Sequence, residues 1–100
     1  MNYQQNLQAL LLRIPRDKVT SYRELAHAMN MRGYRFVGQL LRKNPEPDQY
    51  PCYKVVHSDG KIGGFAMGQK EKIRRLQNDG IIVKNGVVTD FARRLYRFKA

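Results

Sequence analysis

The sequence contains a single cysteine, Cys52, which is the residue type best suited to covalent chemistry. Pro51 precedes it and restricts the backbone on that side, while Lys54 and His57 follow closely along the chain. A nearby positive charge favours the thiolate, the reactive form of a cysteine. A lone cysteine is more often a small buried apolar side chain. The residue alone therefore leaves both interpretations open.

The potential metal ligands His27, Cys52 and His57 lack the number and spacing of a zinc site. We therefore predict neither a metal nor an organic cofactor. His57 directly precedes a predicted turn, which favours a surface position for this side chain over the role of a base.

Length and composition predict one folded domain. The chain has 100 residues, of which 42% are hydrophobic and 10% aromatic, enough for one modest core. No apolar segment approaches the roughly 18 residues of a membrane span, and the N-terminal residues lack the features of a secretory signal. One cysteine excludes an internal disulfide, so we expect a cytoplasmic protein, or a nuclear one in a eukaryote. We also expect a monomer without membrane contact.

Positive charge dominates the composition. Nineteen Lys and Arg against eight Asp and Glu leave a net charge of +11. A domain this basic attracts polyanions, and nucleic acid is the commonest polyanion inside a cell. A basic ribosomal or thermophile surface is the alternative. A membrane surface is disfavoured because the cations are not confined to one amphipathic helix.

Apolar residues at helical spacing predict three helices in the first half of the chain. The first ends at Pro15 and has an inward face made of Leu7, Leu10, Leu11 and Ile14. The second opens at a predicted capping box from Ser21 to Glu24. The third presents a polar outer face, made of Arg35, Gln39, Arg42 and Lys43. The second and third helices together predict a helix-turn-helix at about 21–44, although any small helical bundle with a solvated basic face fits this pattern as well.

The second half predicts a loop at about 45–68 that contains Cys52, a closing helix at about 69–79, and a hairpin with a basic tail over 81–100. The hairpin is closed at or beside Asn85-Gly86. The tail is predicted to be a solvated end that attracts phosphate through Arg93, Arg94, Arg97 and Lys99. Without repeats or linkers, residues 1–100 predict one domain. Its fold class is mainly α with short β elements, a winged-helix-like helix-turn-helix domain.

The segment from Pro51 to Val56 resembles the Pro-Cys-His-Arg-Val signature of the O6-alkylguanine-DNA alkyltransferases, which move an alkyl group from guanine onto their own cysteine. The resemblance extends from about Leu7 to Gly80. Other segments resemble family motifs in the same order along the chain: 14–22, 35–38, 44–45, 63–68 and 72–80.

This resemblance implies roles for individual residues on double-stranded DNA that contains O6-alkylguanine. Cys52 would attack the alkyl carbon, Asn44 would organise the turn that holds it, and Tyr53 and Asp79 occupy the positions of a proton relay. The implied base pocket comprises Tyr22, Val55, Phe65 and Ala66. Tyr22 would push the phosphate of the flipped nucleotide, and Arg35 would fill the gap left in the base stack. The implied DNA-binding residues are Tyr22, Arg35, Gly38, Gln39, Arg42 and Lys43.

Three positions differ from the family pattern. Tyr53 replaces the histidine of the proton relay, Asp79 replaces its glutamate, and Phe65 replaces a tyrosine of the pocket loop. Tyrosine is a poor base near neutral pH because its ordinary pKa is about 10. We therefore expect alkyl transfer, but at a reduced rate. Thiolate formation would then depend on Lys54, on a helix N-terminus or on a rearranged water path.

Two other functions stay open. We expect no counterpart of the long N-terminal domain of many family members, and in this the chain resembles the alkyltransferase-like proteins. Those proteins carry Trp or Ala in place of the cysteine, bind alkylated guanine and signal to nucleotide excision repair, whereas this chain retains Cys52. The second alternative is a winged-helix transcription factor with an incidental cysteine.

Overall fold

The computed structural model describes residues 2–98. Within this range the α-helices are α1 (Tyr3–Leu11), α2 (Tyr22–Ala28), α3 (Arg35–Arg42), α4 (Gln69–Asn78) and α5 (Phe91–Arg94). The strands are β1 (Thr20–Ser21), β2 (Val55–Val56), β3 (Val83–Lys84) and β4 (Val87–Val88), and a 3₁₀ turn spans Cys52–Lys54. The mainly helical composition with short strands is as predicted. The prediction that the basic tail is a solvated end is wrong for its described part, because Tyr96 and Phe98 pack against the apolar core; Lys99 lies outside the described residues.

Both α1 and α2 are capped at their N-termini by side-chain hydrogen bonds. Asn2 and Gln5 form a reciprocal capping box, with the Gln5 amide 2.8 Å from Asn2 Oδ1 and the Asn2 amide 3.2 Å from Gln5 Oε1. At α2, the Glu24 amide donates to Ser21 Oγ over 3.0 Å. The capping box predicted there is only half formed, since the described bonds include no return from Glu24. Ser21 is at the same time the last residue of β1.

A parallel pair of strands joins the helix-turn-helix to the segment that carries Cys52. Thr20 pairs with Val55 and Ser21 with Val56. The C-terminal segment continues the pairing on the other side of β1, where the Val19 amide donates to the Arg94 carbonyl over 2.9 Å. This arrangement places the Cys52–Lys54 turn beside the start of α2.

The C-terminal hairpin forms where it was predicted. Val83 pairs with Val88 and Lys84 with Val87 in antiparallel fashion. Asn85 and Gly86 connect the strands with φ values of 53° and 74°. Two consecutive left-handed residues are what a tight hairpin turn requires, and asparagine and glycine tolerate that conformation best.

The buried apolar side chains form two clusters on either side of β2. Val55 belongs to the cluster built on α1, α2 and α3, while Val56 belongs to the cluster formed with Leu76 and Ile81. Successive side chains of a strand point to opposite faces, so β2 serves both clusters. Among residues 2–98, no helix is long and apolar enough to cross a membrane.

The two leucines Leu7 and Leu12 give a matched test of the first cluster. Leu7 is fully buried, whereas Leu12, at the end of α1, is 58% exposed. We expect Leu7→Ala to lower the free energy of unfolding by about 2–5 kcal/mol because it leaves a cavity. Leu12→Ala is expected to change it by less than about 0.5 kcal/mol. Urea unfolding of both variants measures the difference, and equal losses would contradict this description of the core.

Candidate functional site

A cavity of about 710 Å³ opens between the helix-turn-helix and the loop after β2. Cys52 lies in its wall with only 8% of the residue exposed. Eight residues predicted from the sequence line the cavity together: Tyr22, Arg35, Gly38, Gln39, Arg42, Cys52, Phe65 and Ala66. The fold thus brings the cysteine, the outer face of α3 and the glycine-rich loop to one place.

The backbone around Cys52 is held by Asn44. The Asn44 side-chain amide donates to the Tyr50 carbonyl over 2.9 Å, and the Cys52 amide donates to the same carbonyl over 2.7 Å. Asn44 Oδ1 also accepts from the Glu46 amide over 3.1 Å. One side chain therefore holds both ends of the proline-containing segment that leads to the cysteine, the geometry expected of a residue that organises this turn.

Tyr53 and Asp79 bond to each other, and neither lines the cavity. The Tyr53 hydroxyl donates to Asp79 Oδ2. The nearly buried Asp79 carboxylate also lies 3.4 Å from Arg16 Nε and 3.6 Å from Lys54 Nζ. Burial raises the pKa of Tyr53, and the hydrogen bond to Asp79 raises it further. The phenol therefore keeps its proton at neutral pH and acts as a donor to Asp79.

Lys54 was the cation that the sequence offered beside the thiol, but its amine is engaged elsewhere. Lys54 Nζ donates to the Pro15 carbonyl over 2.7 Å and to the Arg16 carbonyl over 2.8 Å. Together with the ion pair to Asp79, these bonds direct Lys54 toward the turn that follows α1. Its role in the fold is to attach the Cys52 turn to that part of the chain.

Lys72, on the inner face of α4, was not singled out from the sequence. Only 1% of it is exposed, and its Nζ donates to the Val55 carbonyl over 2.7 Å and to the Gly64 carbonyl over 3.0 Å. Burial lowers the pKa of Lys72 to about 8, while attraction between its ammonium and the Cys52 thiolate acts in the opposite direction. One signal was available in the sequence: Lys72 lies four residues before the buried Leu76, which places both on the same face of the helix.

Aromatic rings complete the walls of the cavity. The His57 ring lies 5.1 Å from the Tyr22 ring, centroid to centroid, and His57 is exposed as predicted but also lines the cavity. Burial raises the pKa of Tyr22, with a further contribution from Cys52. The Arg75 guanidinium lies 5.6 Å from the Phe65 ring and 5.9 Å from the Tyr53 ring. Arg75 therefore connects the pocket loop to the turn that carries Cys52.

Among the residues predicted for the base pocket and for DNA binding, two do not line the cavity. Val55 is fully buried in the first cluster, so it contributes its carbonyl to Lys72 rather than a side chain to the wall. Lys43 is exposed just after α3 and lies outside the wall.

The chain combines a basic helix-turn-helix with a cavity that has a cysteine in its wall. Comparison with known families identifies the class of protein to which it belongs. The model of the 6-O-methylguanine DNA methyltransferase DNA-binding domain matches residues 2–81. The chain belongs to this family.

Individual relatives differ in how much of their length the chain matches. A bifunctional methyltransferase/endonuclease of Picrophilus torridus is 46% identical over 93 residues, which are 92% of this chain and 30% of that protein. A DNA base-flipping protein of Vibrio parahaemolyticus is 32% identical over 92 residues, covering 91% of this chain and 90% of that protein. The chain spans about half or less of the length of the first curated relatives it matches.

The fold is also found among solved structures. An S. pombe protein in complex with damaged DNA containing O6-carboxymethylguanine superposes with a TM-score of 0.80, at 24% identity and with 94% of each chain covered. This likeness confirms the predicted fold class.

The lowered pKa of Lys72 predicts how stability depends on pH. Between about pH 8 and pH 10.5 the unfolded chain holds a proton that the folded chain has lost, so raising the pH favours folding. This gain in folding stability is complete above the pKa of the unfolded Lys72 side chain, 10.5, and it is lost as the pH falls through the folded pKa of about 8. Relative to Lys72→Met, we expect the free energy of unfolding of the native chain to rise by about 3 kcal/mol over this interval. Urea unfolding at a series of pH values measures it, and parallel curves for the two proteins would contradict the assignment.

Proposed function

We propose that this chain binds duplex DNA containing O6-alkylguanine, extrudes the modified nucleotide and transfers its alkyl group to Cys52. The observation that carries the proposal is the position of Cys52 in the wall of a cavity that the exposed face of α3 also lines. Membership of the methyltransferase family supports it, as does the name of the Picrophilus torridus relative.

The basic face of α3 is the proposed contact with DNA. Arg35, Gln39, Arg42 and Lys43 are all exposed in a chain with a net charge of +11. Apart from its chain neighbours and the backbone of its own helix, no atom lies within 4 Å of a Cβ placed at Gly38, so this part of α3 faces open space that the DNA backbone could approach closely. We infer that α3 approaches the minor groove, with phosphate neutralisation providing most of the affinity.

Extrusion is needed because the alkylated O6 atom is inaccessible to Cys52 while the base stays stacked. Removing a base from the stack costs a few kcal/mol, and less for a damaged pair. We infer that Tyr22, at the first turn of α2, contacts the phosphate of the extruded nucleotide and that Arg35 occupies the vacated gap. The cavity then receives the base, with Phe65 and Ala66 on one side of it.

The reaction is a single displacement at the alkyl carbon. A bond forms from Cys52 Sγ to that carbon while the bond from carbon to O6 breaks, and its electron pair goes to guanine. The thiol loses one proton and the released guanine gains one, so the atoms balance. The product is a stable thioether, so each molecule acts once.

Activation of the thiol is assigned to Lys72 rather than to Tyr53 and Asp79. The Tyr53 phenol retains its proton and donates a hydrogen bond to Asp79, so we do not assign acceptance of the thiol proton to this pair. Lys72 is the buried cation coupled to Cys52, since attraction to the thiolate raises the pKa of Lys72 against the effect of burial. We infer that the charge of Lys72 takes the role that a histidine and a glutamate have in the family pattern.

A lesion sensor that binds alkylguanine without removing the alkyl group is the second candidate. The bond between Tyr53 and Asp79 favours it, because the residues in the relay positions are engaged with each other. The Vibrio parahaemolyticus relative, named as a base-flipping protein, also matches this chain over nearly the whole of both proteins.

Intact-mass spectrometry after incubation with O6-methylguanine duplex tests the proposal. We expect the native chain to gain the mass of one methyl group on the peptide that contains Cys52, and Cys52→Ser to gain none. Cys52 is the only cysteine of the chain, so no second thiol complicates the result. If the native chain gains no mass while both proteins bind the damaged duplex more tightly than the undamaged one, the sensor is the function.

The rates of two variants test how the thiol is activated. We expect Tyr53→Phe to transfer a methyl group within about threefold of the native rate, since the phenol does not act as a base. Lys72→Met is expected to be slower by about tenfold or more, equivalent to about 1.4 kcal/mol of activation free energy. Single-turnover assays provide both rates, with folding checked by circular dichroism. A large loss in Tyr53→Phe alone would reverse the assignment.

A further inference from the structure

Tyr34, the residue immediately before α3, is an exposed aromatic side chain with no evident part in folding. Its residue is 57% exposed, and as the N-cap of α3 it makes no side-chain capping hydrogen bond. Preferred N-cap residues are small and polar, so a tyrosine here does not serve the helix. The preceding Gly33 brings no side chain to cover the ring.

The position of Tyr34 is between two hollows of the surface. On one side it lines the cavity that contains Cys52. On the other it lines a shallower hollow of about 650 Å³ formed by residues 31–36. Arg35 lines both hollows as well, so the two side chains together form the ridge that separates them.

The surroundings of Tyr34 suit nucleic acid bases. Arg32 and Arg35 are exposed on either side of it, so the ring is offered within a positively charged surface. The neighbouring Phe36 is different, because the Tyr3 ring lies edge-on to it at 5.3 Å and only 38% of Phe36 is exposed. Side chains inserted between base steps hold kinked or opened DNA, and aromatic faces stack on any base.

We propose that Tyr34 is a second wedge beside Arg35, whose ring stacks on the base pair next to the extruded nucleotide. This inference rests on the proposed function, because it assigns a role in opening the duplex. Arg35 then occupies the gap in the stack while Tyr34 covers the exposed face of the adjoining pair. The contact exists only when the nucleotide has left the stack, so Tyr34 increases the preference for damaged over undamaged duplex.

Affinity for two duplexes of the same sequence, one with O6-methylguanine and one with guanine, tests the wedge. All proteins carry Cys52→Ser so that no transfer removes the lesion during a fluorescence-anisotropy titration. Tyr34→Ala is expected to weaken binding to the damaged duplex about tenfold and to leave undamaged binding within about twofold, as befits one lost stacking contact. Tyr34→Phe retains the ring and is expected to bind as the parent does.

Ile82→Ala is the matched control, since Ile82 is 55% exposed and lines neither hollow. Circular dichroism confirms that each variant is folded. Equal losses on both duplexes, or no loss on either, overturn the wedge while the preference of the parent protein upholds the proposed function. A parent protein that binds the two duplexes equally overturns the proposed function and the wedge with it.

Discussion

The parallel pairing of β1 with β2 is the constraint on which the site depends. It fixes the end of β1, where α2 begins, against the strand that follows the Cys52 turn. Tyr22 and Cys52 therefore reach the same cavity although they are distant in sequence. Neither the helix-turn-helix nor the cysteine segment forms the cavity alone, because each supplies only part of its wall.

Lys72 shows how a buried charge is maintained at this junction. Its amine bonds to a carbonyl of β2 and to a carbonyl of the pocket loop, so it connects these two segments, both of which follow Cys52 in the chain. Carbonyl partners reduce the cost of burial without neutralising the ammonium. The positive charge thus remains available to a thiolate, which a carboxylate partner would have cancelled. By contrast, the charges of Lys54 and Arg16 are directed to Asp79.

Local sequence signals predicted the local structure well. The helix-turn-helix at α2 and α3, the closing helix α4 and the hairpin at Asn85-Gly86 all follow from apolar spacing, capping and turn chemistry. The pairing of β1 with β2 and of Val19 with the C-terminal segment was missed, because two-residue strands leave no periodic pattern. Lys72 was missed for another reason: a lysine in a basic helix suggests solvent unless its tertiary surroundings are known.

Because β2 places Val55 in one apolar cluster and Val56 in the other, the two clusters share a single strand. Neither cluster can open without exposing a side chain of β2, so the domain is built to unfold as one cooperative unit rather than in halves. We therefore expect the backbone amides of Val55 and Val56 to exchange with solvent chiefly through opening of the whole domain.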